Sequence, residues 1–138
     1  MKKFVFLFLV LAFSASFAHA QAMPAGADPN LWQRALRIHK QAIIVDGHND
    51  IPSPMVDEDF DIGSDSRGKI HKQGGDPFHT DISRLKQSGL TGFFFSIYVD
   101  RRFAEQPEKG SARRALDMID ATYRAVERYP DTFLFSTS

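Results

Sequence analysis

The chain has 138 residues, no cysteine, and 17 basic against 17 acidic side chains, so its formal net charge is zero. This balance argues against the basic surface that nucleic-acid binding requires, and we expect no nucleic-acid partner. Because there is no cysteine, no disulfide can stabilise the fold, and stability must come from packing or metal ligation.

The first 20 residues have the pattern of a secretory signal peptide. Two lysines precede an apolar run from 4 to 13, and Ala18-His19-Ala20 is a small-x-small cleavage site. The apolar run is shorter than the roughly 20 residues that span a bilayer. We therefore predict export to the periplasm or extracellular space, with residues 21–30 as a flexible mature N-terminus and no integral membrane span after cleavage. An uncleaved membrane anchor is the alternative.

The next segment predicts one helix and one strand. Asp28-Pro29 suits the cap and the first position of a helix whose apolar face would carry Leu31, Ala35 and Ile38. Residues 42–45 are apolar and largely β-branched, which predicts a short buried strand that ends at a turn-prone Asp46-Gly47.

The middle of the chain predicts a long loop, a short helix and a second strand. Residues 53–78 are rich in glycine and proline, which is typical of a functional or disordered loop. Thr80-Asp81 would begin a helix that Gly89 ends. Residues 93–99 are apolar on both faces, as in a parallel strand covered on both sides, so we expect the phenylalanines at 93–95 to pack in the core.

Gly110-Ser111 is predicted to cap a longer helix. Its apolar stripe would be Leu116, Ile119, Tyr123 and Val126, and Pro130 would stop it. Residues 133–135 predict a third strand.

The alternation of helices and strands is an α/β pattern. It fits the opening of a (β/α)8 barrel or of an open doubly wound sheet. A closed barrel takes about 250 residues, so we expect this chain to be truncated.

His48 and Asp50 are the strongest candidates for a functional site. In an extended segment positions i and i+2 share a face, so both side chains can aim at one point just past the first predicted strand. Ligands gather at the carboxyl ends of strands in α/β folds, and imidazole and carboxylate are good zinc ligands. The alternative is an ordinary turn, which Asp-Gly and Asn-Asp also favour.

The other polar motifs predict structural roles. Asp81 is expected to cap its helix, and His79 to be structural or to lie behind a metal ligand. His71 is expected to be exposed in the loop. Asp57-x-Asp59-x-Asp61 lacks the glycine and glutamate of an EF-hand, which predicts a solvated acidic loop. After the second strand, Arg101-Arg102 is interpreted as a solvated pair, with substrate contact as the alternative.

Asp46-Gly47-His48-Asn49-Asp50-Ile51-Pro52 resembles the opening motif of the membrane dipeptidase (renal dipeptidase) family, peptidase family M19. Two further blocks agree in order. The residues from His79 to Val99 are similar to the family's second block, and those from Met118 to Phe133 to its third. The resemblance runs from about Leu36 to the last residue.

The resemblance implies a (β/α)8 barrel that hydrolyses dipeptides with two zinc ions, of which His48 and Asp50 hold one. It implies that the remaining ligands, a bridging glutamate and two histidines, come from later strands. Residues 31–138 would then be the N-terminal part of a barrel domain, inactive as an isolated fragment, and a homodimer of the full-length protein is compatible with it. The zinc ions would lower the pKa of a shared water, which attacks the peptide carbonyl.

Two other functions stay open. The chain could be a non-catalytic secreted fragment or binding module. It could also belong to another metal-dependent, amidohydrolase-like enzyme with a different amide substrate.

Overall fold

The computed structural model describes residues 22–105 and 110–136, and the predicted signal peptide lies outside these ranges. Helices and strands alternate irregularly, which is compatible with part of an α/β domain. No helix in these ranges is both long and apolar enough to cross a membrane. The elements in chain order are α1 (Pro29–Gln41), β1 (Val45–Asn49), α2 (Pro52–Asp57), α3 (Ile82–Ser88), β2 (Gly92–Phe95), α4 (Arg101–Ala104) and α5 (Ser111–Arg128).

β1 and β2 form a two-stranded parallel sheet. Asp46 pairs with Phe93, and the next pair along the register is Asn49 with Phe95. Between these pairs β1 advances by three residues and β2 by two, so β1 carries one extra residue. Such a β-bulge re-aims side chains locally, and it lies immediately around His48.

Both predicted strands have different bounds from those expected. The first begins at Val45 instead of Ala42, because the Ile44 carbonyl accepts the N–H groups of Thr91 and Gly92 just where the pairing starts. The second ends at Phe95 instead of Val99. Asp46-Gly47 is therefore extended inside β1 and does not form a turn.

The prediction that both strands are buried, and the second on both faces, is wrong for the described residues. Phe93 and Phe95 pack against the core, whereas Phe94, on the opposite face, is 66% exposed. Val45 is also exposed. The reason is that the described helices and loop cover one face of this sheet.

Both predicted N-caps around the sheet are confirmed. The Asp28 carboxylate accepts the N–H groups of Asn30 and Leu31 at the start of α1. Asp81 accepts the N–H of Arg84 at the start of α3, and Gly89 ends that helix with a φ of +71°. The predicted apolar face of α1 packs poorly, because Leu31 and Ile38 remain exposed.

Residues 53–78 are more ordered than the predicted loop. Their first part forms α2, and Ile70 and Pro77 make an isolated antiparallel bridge. Ile62 is 1% exposed, and the Phe60 and Phe78 rings stack at 4.4 Å. The segment holds its place because it contributes apolar side chains to the core.

α5 packs largely through residues outside the predicted stripe, of which Val126 lies against the core. Met118, Ala121 and Ala125 are buried, whereas Leu116 and Tyr123 are exposed. The small alanines allow α5 to approach its neighbours closely, which the larger residues of the predicted stripe would prevent. Gly110 caps α5, as predicted.

Residues 131–136 do not form the predicted third strand. Phe133 is instead buried in the core with Ile51, Ile62, Leu85 and Ala125, and it contacts Phe93 edge-on at 5.7 Å between ring centroids.

We expect Met118→Ala to lower the free energy of unfolding by about 3 kcal/mol, because a fully buried side chain leaves a cavity. Leu116→Ala, on the same helix but exposed, is the matched control and should cost less than about 0.5 kcal/mol. Urea-induced unfolding measures both values. Equal losses in the two variants would contradict the observed orientation of α5.

Candidate active site

The carboxyl end of β1 brings His48 and Asp50 together. His48 Nε2 lies 3.2 Å from Asp50 Oδ1, and the two side chains are 66% and 55% exposed. The expectation that they aim at one point is therefore met. Their binding of a metal stays a prediction.

The side chains of Asp46 and Asn49 fix the backbone around this pair. The Asp46 carboxylate accepts hydrogen bonds from the His48 N–H at 3.1 Å and from Asn49 Nδ2 at 3.3 Å. Asn49 Oδ1 accepts the Ile51 N–H at 3.2 Å, so both ends of the His48–Asp50 segment are held. Asn49 Nδ2 also lies 3.4 Å from Thr80 Oγ1, which ties β1 to the approach of α3.

The donor chemistry of the pair suits zinc. An imidazole nitrogen and a carboxylate oxygen are ordinary zinc ligands, and their exposure leaves them open to a bound ion. Within the described residues no group of three or more potential ligands could hold a metal ion. The pair by itself therefore supplies two possible ligands.

A cleft of about 390 Å³ adjoins Asp50. This volume is in the range of small-molecule sites. Its walls come from the end of β1, from α2, from the loop that follows and from the approach to α3. The lining residues are Asn49, Asp50, Ile51, Ser53, Pro54, Asp57, Glu58, His71, Gln73, His79 and Thr80.

His71 is only 25% exposed in its side chain, so the prediction of an exposed residue is wrong. Its Nδ1 lies 2.8 Å from Glu58 Oε1, and its ring lies 3.7 Å from the Phe78 ring between centroids. The Lys72 N–H donates to Glu58 Oε2 at 2.9 Å. Burial alone would raise the pKa of Glu58, but the hydrogen bonds from Lys72 and His71 bring that pKa below its usual value.

The acidic motif at 57–61 is not a freely solvated loop. Asp57 lies 2.9 Å from Arg114 Nη2 and 3.6 Å from Arg102 Nη2. Arg114 is 5% exposed and also donates to the Ser53 carbonyl, so it joins α5 to α2 beside the cleft. Asp61 accepts the Tyr129 hydroxyl at 2.6 Å.

The two predicted arginines differ in their surroundings. Arg101 pairs with Glu105 on the surface, as expected of a solvated residue. Arg102 instead forms an ion pair with Asp57 of the acidic motif.

His79 and Asp81 have separate environments. His79 is exposed and lines the cleft, whereas Asp81 is fully buried. The Asp81 carboxylate accepts the Ser66 hydroxyl at 2.8 Å and Arg84 Nε at 2.9 Å. Arg84 also donates to the Phe78 carbonyl and to the Ser66 hydroxyl, so this network anchors the loop to α3.

Sequence reasoning missed the Glu58–His71 pair, the Asp57–Arg114 pair and the link from Asn49 to Thr80. The partners are 13, 57 and 31 residues apart, and no local motif relates them. Each pair forms only when elements distant in the chain pack together.

Asp81 should make the stability of the protein depend on pH. Burial alone raises the pKa of Asp81, but hydrogen bonds from Arg84 and Ser66 lower it to about 2, against an ordinary value of 3.8. Because the pKa of Asp81 is lower in the folded state than in the unfolded state, the ionised carboxylate stabilises the fold above about pH 4. This stabilisation is lost as the pH falls towards 2.

We expect this stabilisation to be about 2 kcal/mol, and Asp81→Asn to remove the corresponding pH dependence. Urea unfolding at several pH values between 2 and 6 measures it. Asp131→Asn, at an exposed carboxylate, should follow the wild-type curve. An Asp81→Asn curve parallel to the wild type would contradict the role of the buried carboxylate.

Comparison with known proteins assigns the chain to a family. No solved structure matches it significantly. The family model for membrane dipeptidase, peptidase family M19, matches residues 32–138, which include both strands and the His48–Asp50 pair. Because this match covers most of the chain, the protein belongs to the membrane dipeptidase family, peptidase family M19, whose members are dipeptidase-type metallohydrolases.

Proposed function

We propose that this chain is the N-terminal part of an exported, zinc-dependent dipeptidase. Family membership supports hydrolysis of dipeptides with metal ions. The observation that carries the proposal to particular residues is the 3.2 Å approach of His48 Nε2 to Asp50 Oδ1 at the carboxyl end of β1. Active sites of α/β barrels lie at that end of the strands.

His48 and Asp50 would hold one of two zinc ions, and neither would be the nucleophile. Zinc bound there would polarise the peptide carbonyl and lower the pKa of the attacking water. Asp46 and Asn49 hold the backbone of the pair in place through their hydrogen bonds to the His48 and Ile51 N–H groups. The adjoining cleft would bind part of the dipeptide beside Asp50.

Residues 31–138 would form the first part of a (β/α)8 barrel, and later strands would supply a bridging glutamate and two histidines. The isolated fragment, with two ligands, would bind zinc weakly and turn over little. Residues 1–20 would act as a cleaved signal peptide. A homodimer of the full-length protein would be compatible with this function.

We expect the full-length gene product with His48→Ala and Asp50→Ala to lose dipeptide hydrolysis by more than about 100-fold. Even residues that only support metal ligands change affinity or activity by about 10- to 100-fold, so removal of two ligands should cost more. Zinc content per chain, measured by elemental analysis, should fall in parallel. A chelator should inactivate the wild type, and added zinc should restore it.

His39→Gln is the matched control for this experiment. It also removes an imidazole, but His39 lies on α1, where Nε2 is 2.7 Å from the Ser88 carbonyl. Full activity in the double variant would refute the ligand assignment. Hydrolysis of N-acyl amino acids in preference to dipeptides would favour another amidohydrolase-like activity, and a wild type with no hydrolysis would favour a non-catalytic role.

A further inference from the structure

The cleft beside Asp50 has a polar wall that the proposed mechanism does not use. This wall is the Glu58–His71 pair, contributed by the loop between α2 and α3. The Glu58 side chain is 8% exposed, so a carboxylate has been placed almost out of water. Burial of that charge is costly, and the structure offsets it with hydrogen bonds to both oxygens.

Those hydrogen bonds determine which ring nitrogen of His71 faces Glu58. The pKa of Glu58 is below its usual value, so near neutral pH the group is a carboxylate that can only accept hydrogen bonds. His71 Nδ1, 2.8 Å from Oε1, must therefore carry the proton of this contact. In the neutral ring Nε2 is then an acceptor.

Nothing in the described ranges occupies that acceptor. No described residue forms a hydrogen bond with His71 Nε2, and the ring is held between Glu58 on one edge and the face of Phe78. His71 lines the cleft, so its ring borders any small molecule bound there. Glu58 and Phe78 fix the orientation of the ring before any ligand arrives.

The charges that line the cleft determine which kind of ligand group fits there. Three carboxylates line the cleft, and no described lysine or arginine does. Arg114 and Arg102 neutralise Asp57 from the α5 and α4 sides, and Asp50 is assigned to zinc in the proposed function. Glu58, held against His71, is left as the carboxylate of this wall that favours a cationic hydrogen-bond donor.

We propose that His71, oriented by Glu58, binds an alkylammonium group of the substrate in this cleft. The inference rests on the proposed dipeptidase function and adds a substrate-selecting residue to it. The ammonium group could belong to a lysine side chain or to the free amino terminus of the dipeptide, and the two sources are distinguishable by experiment.

The test compares kcat/KM of the full-length protein for Lys-Ala and Ala-Lys with that for the two analogues in which norleucine replaces lysine. Norleucine keeps the length of the chain and removes its charge. If the lysine side chain is the ligand, the wild type should prefer at least one lysine dipeptide over its analogue by about tenfold. That ratio should fall to near one in Glu58→Gln and in His71→Asn.

If the amino terminus is the ligand, all four substrates should lose kcat/KM by about tenfold in His71→Asn. Asparagine places an amide near the Nδ1 position and keeps the contact with Glu58, whereas glutamine reaches the Nε2 position. His71→Gln should therefore restore much of the loss. Glu127→Gln, an exposed carboxylate on α5, is the control and should match the wild type.

Two results would overturn the inference. One is wild-type kcat/KM on all four substrates in both Glu58→Gln and His71→Asn. The other is an equal loss in His71→Asn and His71→Gln on every substrate, which indicates structural damage. A wild type that hydrolyses none of the four would refute the proposed function and this inference with it, whereas hydrolysis unaffected by the variants refutes the inference alone.

Discussion

The parallel pairing of β1 with β2 determines where the candidate functional side chains lie. Parallel strands end at the same edge of a sheet, and here the pairing carries one extra residue in β1 between Asp46 and Asn49. That extra residue returns Asn49 to the side of Asp46, where the two side chains hydrogen-bond. His48 and Asp50 are consequently left outside this contact, exposed and within 3.2 Å of each other.

The loop between α2 and α3 completes the surroundings of this pair. Buried Asp81 anchors the loop through Ser66 and Arg84, and Ile62 and Phe78 fasten it to the core. Once anchored, the loop can hold Glu58 and His71 against the cleft. Rigid support of this kind is what a substrate-binding wall requires, because affinity falls when the contacting groups must be ordered on binding.

The sequence was most informative where a motif was local. Asp28, Asp81 and Gly110 were identifiable as caps, and His48-x-Asp50 as a converging pair, because each depends on a few neighbouring residues. The predictions of buried side chains failed where tertiary packing determines which residues reach the core. α5 buries Met118 and two alanines instead of Leu116 and Tyr123, and Phe133 fills the core instead of a strand. The Glu58–His71 pair could not be predicted either, because its partners meet only after the loop folds.

Zinc bound by His48 and Asp50 at the carboxyl end of β1 would be visible in crystals of the full-length protein. Anomalous diffraction at the zinc edge locates the ion and its ligands. We expect an anomalous peak about 2.0–2.2 Å from a His48 ring nitrogen and from an Asp50 carboxylate oxygen. Zinc bound by other residues, with His48 and Asp50 away from every peak, would contradict this expectation.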